Sequence, residues 1–304
     1  MSASDSQVTI LTLVHYLFGS SRATLTLASH RNTFWLGFIL VISAGFAREY
    51  DGADLLHEPW HLLVPVAASV GSSSILFLLV EWVVRSRGVD GSRFWPRYCS
   101  FLGLYWMTAP LAWFYAIPVE RYLSAMDASN ANLVLLGIVS VWRVFLITRV
   151  LSVLYVPAAG RREFVDFLFV VMLFAGTLAV AALASFRFPI VIGFMGGVRS
   201  LDAESIMLRI KFVVTMLAIL ALPILLKGTM NVMFAESTDW SWQAKSVSSQ
   251  PPFSRGVKSF AAVSLLIWAF VLPWTQPEMQ RRRAMELDLQ NSVFDANDGE
   301  MRSR

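Results

Sequence analysis

Charge is scarce in this chain. Only 15% of its 304 residues are Asp, Glu, Lys or Arg, where a soluble globular chain carries about 25%. One or two soluble domains, which the length alone would suggest, do not fit. Cysteine is scarcer still: Cys99 stands alone, so no internal disulfide and no cysteine-built zinc cluster can form. With 17 Gly and 12 Pro, collagen-like and other Gly/Pro repeats are excluded. The sequence holds no P-loop, no G-x-S-x-G and no C-x-x-C. Gly193, Gly196 and Gly197 fall in a loop between apolar runs rather than after a strand, which is no nucleotide fingerprint. No cofactor is therefore expected.

What the chain has instead is apolar side chain, 56% of the total, with a mean hydropathy of +0.58. That excludes disorder. The net charge of +4 reads as loop charge facing anionic lipid, not as a nucleic-acid footprint. The expectation is an all-α, polytopic transmembrane helix bundle whose first partner is the lipid bilayer.

A helix crossing a hydrocarbon core of about 30 Å needs roughly 20 mostly apolar residues. Seven runs qualify or nearly do: Asn32–Ala47, Leu62–Val80, Tyr98–Val119, Ala128–Tyr155, Phe167–Phe186, Phe212–Leu226 and Ser259–Pro277. The second, third, fifth and seventh carry no charge, and the first and sixth are short. Six or seven spans are predicted. Trp35, Trp60, Trp82, Trp95, Trp113, Trp268 and Trp274 fall mostly near run ends, where an indole buries its ring and keeps its N–H wet. Pro110 and Pro223 lie inside runs, where each frees a carbonyl and bends its helix.

Arginine counts set the orientation. Arg22 and Arg31 precede the first run, Arg85, Arg87, Arg93 and Arg97 follow the second, and Arg161 and Arg162 follow the fourth. These segments and the N-terminus are read as cytoplasmic. The first and third loops, where acids offset Arg48 and Arg121, face outward. The rule weakens at Arg187, Arg199, Arg209 and Lys211, and the side of the C-terminus stays open. Residues 1–31 are too polar to cross; Val8, Leu11, Val14, Tyr16, Leu17 and Phe18 give a short apolar face that suggests an interfacial helix. The organisation is thus an N-terminal segment 1–31, a membrane domain 32–277 and a polar tail 278–304. An alternative reads Phe34–Ile42 as a signal h-region cleaved near Ala47. The preceding n-region of over 30 residues argues for an uncleaved anchor.

His57-Glu58-Pro59-Trp60-His61 matches H-E-x-x-H, in which two His on one helical face hold zinc and the Glu activates water. Pro59 in the middle opposes a continuous helix. It is better read as the first helical residue of the second run, with Glu58 at the cap, so His57, Glu58 and His61 are rejected as a metal site. The surrounding loop, with Glu49, Asp51, Asp54 and Glu58, is an outer acidic cluster. It suits a divalent cation or basic partner, or is a solvated connector turning at Asp51-Gly52.

Charge inside the membrane is the stronger signal, because it costs at least ~2.5–3.5 kcal/mol and is therefore paired or functional. Arg143 lies halfway along the fourth run, with Arg149 nearer the cytoplasm. Depth matching across antiparallel spans puts Glu81 and Asp166 near Arg149. Around Arg143 it puts hydroxyls: Ser72, Ser73 and Ser74, Tyr105 and Thr108, and Thr177. Two readings follow. Arg143 binds an anion, either a small molecule or a lipid head group. Alternatively, it bonds carbonyls and hydroxyls to lock the bundle while Arg149 pairs with Glu81. Gly71, Gly103, Gly137 and Gly176 mark expected close helix contacts.

Ala47–Asp51 (AREYD), Glu58–His61 (EPWH) and Ala116–Arg121 (AIPVER) resemble uncharacterised bacterial multi-pass membrane proteins. The resemblance covers about the first half of the chain. It implies a bacterial cytoplasmic membrane and transfers no functional residue. The expected function is non-enzymatic: a small-solute or lipid carrier, or an assembly partner of other membrane proteins. The alternative is a membrane-embedded, metal-dependent hydrolase using the loop around His57–His61.

Overall fold

The computed structural model describes residues 8–49, 59–85, 94–117, 119, 122–157, 240–244, 253–275 and 285. Short helices α1 (Ile10–Leu17) and α2 (Ser21–Ala28) lead into α3 (Thr33–Glu49). A 3-10 turn, Pro59–Leu62, opens α4 (Leu63–Arg85). Then come α5 (Phe94–Trp106), a 3-10 helix Ala109–Ala116, α6 (Ala125–Leu154) and, late in the chain, α7 (Arg255–Thr275). The other regular elements among the described residues are strands β1 (Tyr155–Pro157) and β2 (Trp240–Trp242). They pair antiparallel, Tyr155 facing Trp242 and Pro157 facing Trp240.

Helix starts follow local chemistry. Thr9 caps α1 in a reciprocal box with Thr12. Ser20 caps α2 through the Ala23 N–H, and Ser124 caps α6 through that of Asp127. Pro59 stands first in its 3-10 turn and Pro110 second in the later one, where a missing N–H costs nothing.

Among the described residues, one helix is long and apolar enough to cross a membrane, Val134–Leu154 within α6. Thr33–Ala47 and Pro65–Glu81 are shorter apolar helices. The third apolar run is not one helix. It breaks at Met107-Thr108, with α-helix before and 3-10 helix after. Pro110 therefore begins a new segment instead of bending an old one. Runs Phe167–Phe186 and Phe212–Leu226 lie outside the described residues.

Contacts fix the helix directions. Cβ atoms placed on Gly103 and Gly37 would meet Phe34 N at 3.0 Å and Trp106 Cβ at 2.9 Å. Further along, Ala47 packs near Trp113 and Ala116. Residue numbers rise together, so α3 and α5 are parallel. Helix α7 follows α3 the same way, through Ser43–Ser264 and Ala47–Trp268. Numbers run oppositely between α5 and α4 (Glu81–Arg97, Ser74–Tyr98, Ser72–Tyr105), and between α6 and the α5 segment (Arg143–Thr108, Val139–Leu111). Gly37 and Gly103 are where backbones approach most closely; Gly71 and Gly137 face open space. Gly176 lies outside the described residues.

Polar side chains share the interior with an apolar core, and large apolar side chains also lie outside it. Ser43, Ser73, Glu81, Arg97, Thr108, Thr148 and Ser152 are buried, while Ile75, Leu78, Val141, Phe145, Leu266 and Phe270 are exposed. The N-terminal helices are not set apart from the bundle. Leu13, Tyr16, Ala23 and Leu27 lie in the main core, and the C-terminal end of α1 meets α6 at Trp142.

Candidate functional site

The 100° spacing of an α-helix divides α6 into three faces. Val134, Ile138, Val141 and Phe145 form one stripe, and all are at least half exposed. Arg143 lies opposite that stripe, among buried Val139, Leu146 and Val150. Trp142 and Arg149 share the flank between them, turned to α1 and α2.

Arg143 sits at the break between α5 and the 3-10 helix. Its Nε donates to Thr108 Oγ1 at 3.2 Å, and its guanidinium carbon lies 5.5 Å from the Tyr105 ring centroid. Thr108 Oγ1 itself donates to the Tyr105 carbonyl at 2.7 Å. The Tyr105 hydroxyl meets Ser72 Oγ at 3.0 Å. The cation therefore stands at the C-terminal end of α5, where the helix dipole favours it. The bond to Thr108 is its one hydrogen bond, and the terminal amino groups of the fork donate to nothing among the described residues.

Arg149 does something different. Its Nε donates to the Gly19 carbonyl at 3.1 Å and its Nη2 to Ser21 Oγ at 2.6 Å. It does not pair with Glu81. Glu81 takes Arg97 Nη2 at 3.0 Å and the Tyr155 hydroxyl at 2.5 Å instead. Depth alone does not choose between the two arginines. Arg97, one turn into α5, is nearer on the adjoining helix, while Arg149 points away around α6. Ser73 Oγ donates to the Val70 carbonyl at 3.0 Å and meets Tyr98 OH at 3.5 Å, so it faces Tyr98 and not Arg143.

Read from the sequence, Arg97 is a loop charge, Tyr98 and Tyr155 only mark run ends, and Tyr16 belongs to an apolar face; in the structure the Tyr16 hydroxyl donates to the Leu104 carbonyl at 2.7 Å. The available signal for Arg97 was its place: it follows Phe94-Trp95-Pro96, an apolar, aromatic and exposed helix start one turn before burial begins at Arg97. Asp51, Asp54, His57, Glu58, Asp166 and Thr177 lie outside the described residues. Glu49 ends α3, and His61 sits in the Pro59–Leu62 turn. Among the described residues, no group of three or more His, Cys, Asp or Glu is placed to hold a metal ion.

Comparison of the chain with family models, with curated proteins and with solved structures finds no match.

Proposed function

We propose that the chain is a multi-pass integral protein of the bacterial cytoplasmic membrane, with its N-terminus in the cytoplasm and no enzymatic role. In this reading it carries a small anionic solute that docks on Arg143. The observation behind it is the division of α6. An exposed apolar stripe suits acyl chains, and an arginine on the opposite, inward face keeps donors in hand. An intramembrane arginine is by default a functional site, and Thr108, which it touches, is also the N-cap of the 3-10 helix, the helix end that suits an anion. The inward position favours a solute over a lipid head group, which would approach from the stripe side. Orientation rests on the arginine distribution. The alternation of α3, α5 and α7 with α4 and α6 fits either sense, so the arginines alone choose it.

The test uses the full chain in phosphatidylethanolamine/phosphatidylglycerol vesicles, melted with inorganic phosphate, acetate or succinate at matched ionic strength. At least one anion should raise the wild-type melting temperature, and Arg143→Leu should abolish that rise without lowering the ligand-free value. An Arg143→Leu variant that melts well below wild type, with no anion effect in either protein, would identify a structural lock. The chain would then fit an assembly partner better.

A further inference from the structure

Helix α1 starts beside the beginning of α7: Ser254 N donates to the Val8 carbonyl at 3.2 Å, and Ile10 lies against Gly256. From there it runs inward. Leu17 and Phe18 reach Trp142 on α6, with a 2.8 Å bond from Trp142 Nε1 to the Leu17 carbonyl and ring centroids 5.7 Å apart. Gly19, at φ +78, turns the chain against the Phe145 ring. Helix α2 then returns to Ser100, whose Oγ donates to the Ala28 carbonyl at 2.7 Å. Trp142 and Phe145 are near the middle of Val134–Leu154, roughly 12–17 Å from Val134 at 1.5 Å per residue.

The turn is provided for as in a medium without water. Unmet carbonyls at membrane depth must find donors within the protein. Trp142 serves Leu17 and Arg149 serves Gly19; Thr33 Oγ1 donates to Leu27 at 2.7 Å and Ser100 to Ala28. Each is a side chain directed at the end of a helix of eight residues. A helix lying at a wet surface needs none of them, because water satisfies its ends. The outer face of α1 is apolar apart from His15: Ile10, Leu11 (61% exposed), Val14 and Phe18 (69% exposed). It runs on into Phe145 and Val141 of the α6 stripe. His15 is the polar member of this face.

We infer that α1–α2 is a re-entrant hairpin. It dips into the hydrocarbon layer from the side on which α3, α5 and α7 begin and presents Ile10, Leu11, Val14 and Phe18 to acyl chains. This replaces a helix lying flat at the interface. The inference rests on the membrane reading above.

The test places one fluorophore at a time on Leu11→Cys, Phe18→Cys or Val141→Cys in a full-length Cys99→Ser chain. Vesicles of phosphatidylethanolamine and phosphatidylglycerol carry a quencher either deep on the acyl chain or at the head group. Labels at 11 and 18 should lose fluorescence to the deep quencher nearly as fully as the label at 141, and all three thiols should resist a water-soluble maleimide. If 141 is quenched deep but 11 and 18 are quenched only at the head group and alkylate readily, the hairpin is wrong and the bundle stands. If 141 also alkylates readily and escapes both quenchers, the membrane reading falls and takes the hairpin with it.

Discussion

Arg97 on α5 reaches Glu81 on α4 at 3.0 Å, with 5% and 7% of the two side chains exposed. The Glu81 carboxylate holds Arg97 with one oxygen and the Tyr155 hydroxyl with the other. One residue thus ties α4 to the start of α5 and to the strand that follows α6.

Removing one member of a buried pair strands the other. Glu81→Leu should therefore destabilise by ~3–5 kcal/mol, and Glu81→Leu/Arg97→Met should recover most of it. Tyr155→Phe should cost only about 1 kcal/mol, since Glu81 keeps its cation. Thermal melts of the four proteins of the Glu81/Arg97 cycle check this. A double-variant loss equal to the sum of the two single losses would mean the pair is not coupled.

Arg143 and Arg149, six residues apart on one helix, should respond oppositely to the same change. Arg149→Leu takes the donor from the Gly19 carbonyl and should cost ~1–3 kcal/mol. Arg143→Leu leaves Thr108 still bonded to the Tyr105 carbonyl and removes a partly buried charge with no acidic partner among the described residues, so stability should hold or rise. Chemical denaturation of both in detergent gives the comparison.

Alanine at glycine should separate contact from open space. A Cβ at Gly37 would lie 2.7 Å from the Gly103 carbonyl oxygen, a backbone atom with nowhere to go, so Gly37→Ala should cost ~1–3 kcal/mol. Gly71→Ala and Gly137→Ala meet nothing within 4 Å and should stabilise by up to about 1 kcal/mol through helix propensity. Melting temperatures of the three variants decide it.

Ser43 accepts from Trp268 Nε1 at 3.1 Å and donates to the Ser264 carbonyl at 2.6 Å. Ser43→Ala leaves a buried indole N–H without its acceptor, and should lower stability by ~1–3 kcal/mol. Ser43→Ala/Trp268→Phe should be milder than Ser43→Ala alone. A milder single variant would show that water reaches the indole.

Helicity was legible because uncharged runs of this length admit little else in lipid. The neighbourhood of Arg143 was legible for a related reason: antiparallel helices of one rise per residue match depth by counting, and counting pairs 143 with 105 and 108. Counting says nothing about rotation. That is why Arg149 was matched to Glu81 when it points around the helix to Gly19. The break at Thr108 was hidden because Pro110 reads equally as a kink or as the start of a new segment. The burial of α1 was hidden because Leu13 and Tyr16, its core-facing side, are sparse against the outer apolar stripe.

The pairing of Tyr155 with Trp242 has a topological consequence. Paired strands lie about 4.8 Å apart, so the chain is at one place when it leaves β1 and when it reaches β2. The end of α6 and the strand that precedes α7 therefore meet at one end of the bundle, where Ser254 also holds the Val8 carbonyl beside the start of α7. Being parallel to α3, α7 finishes at Thr275, at the opposite end of the described bundle from Ile10.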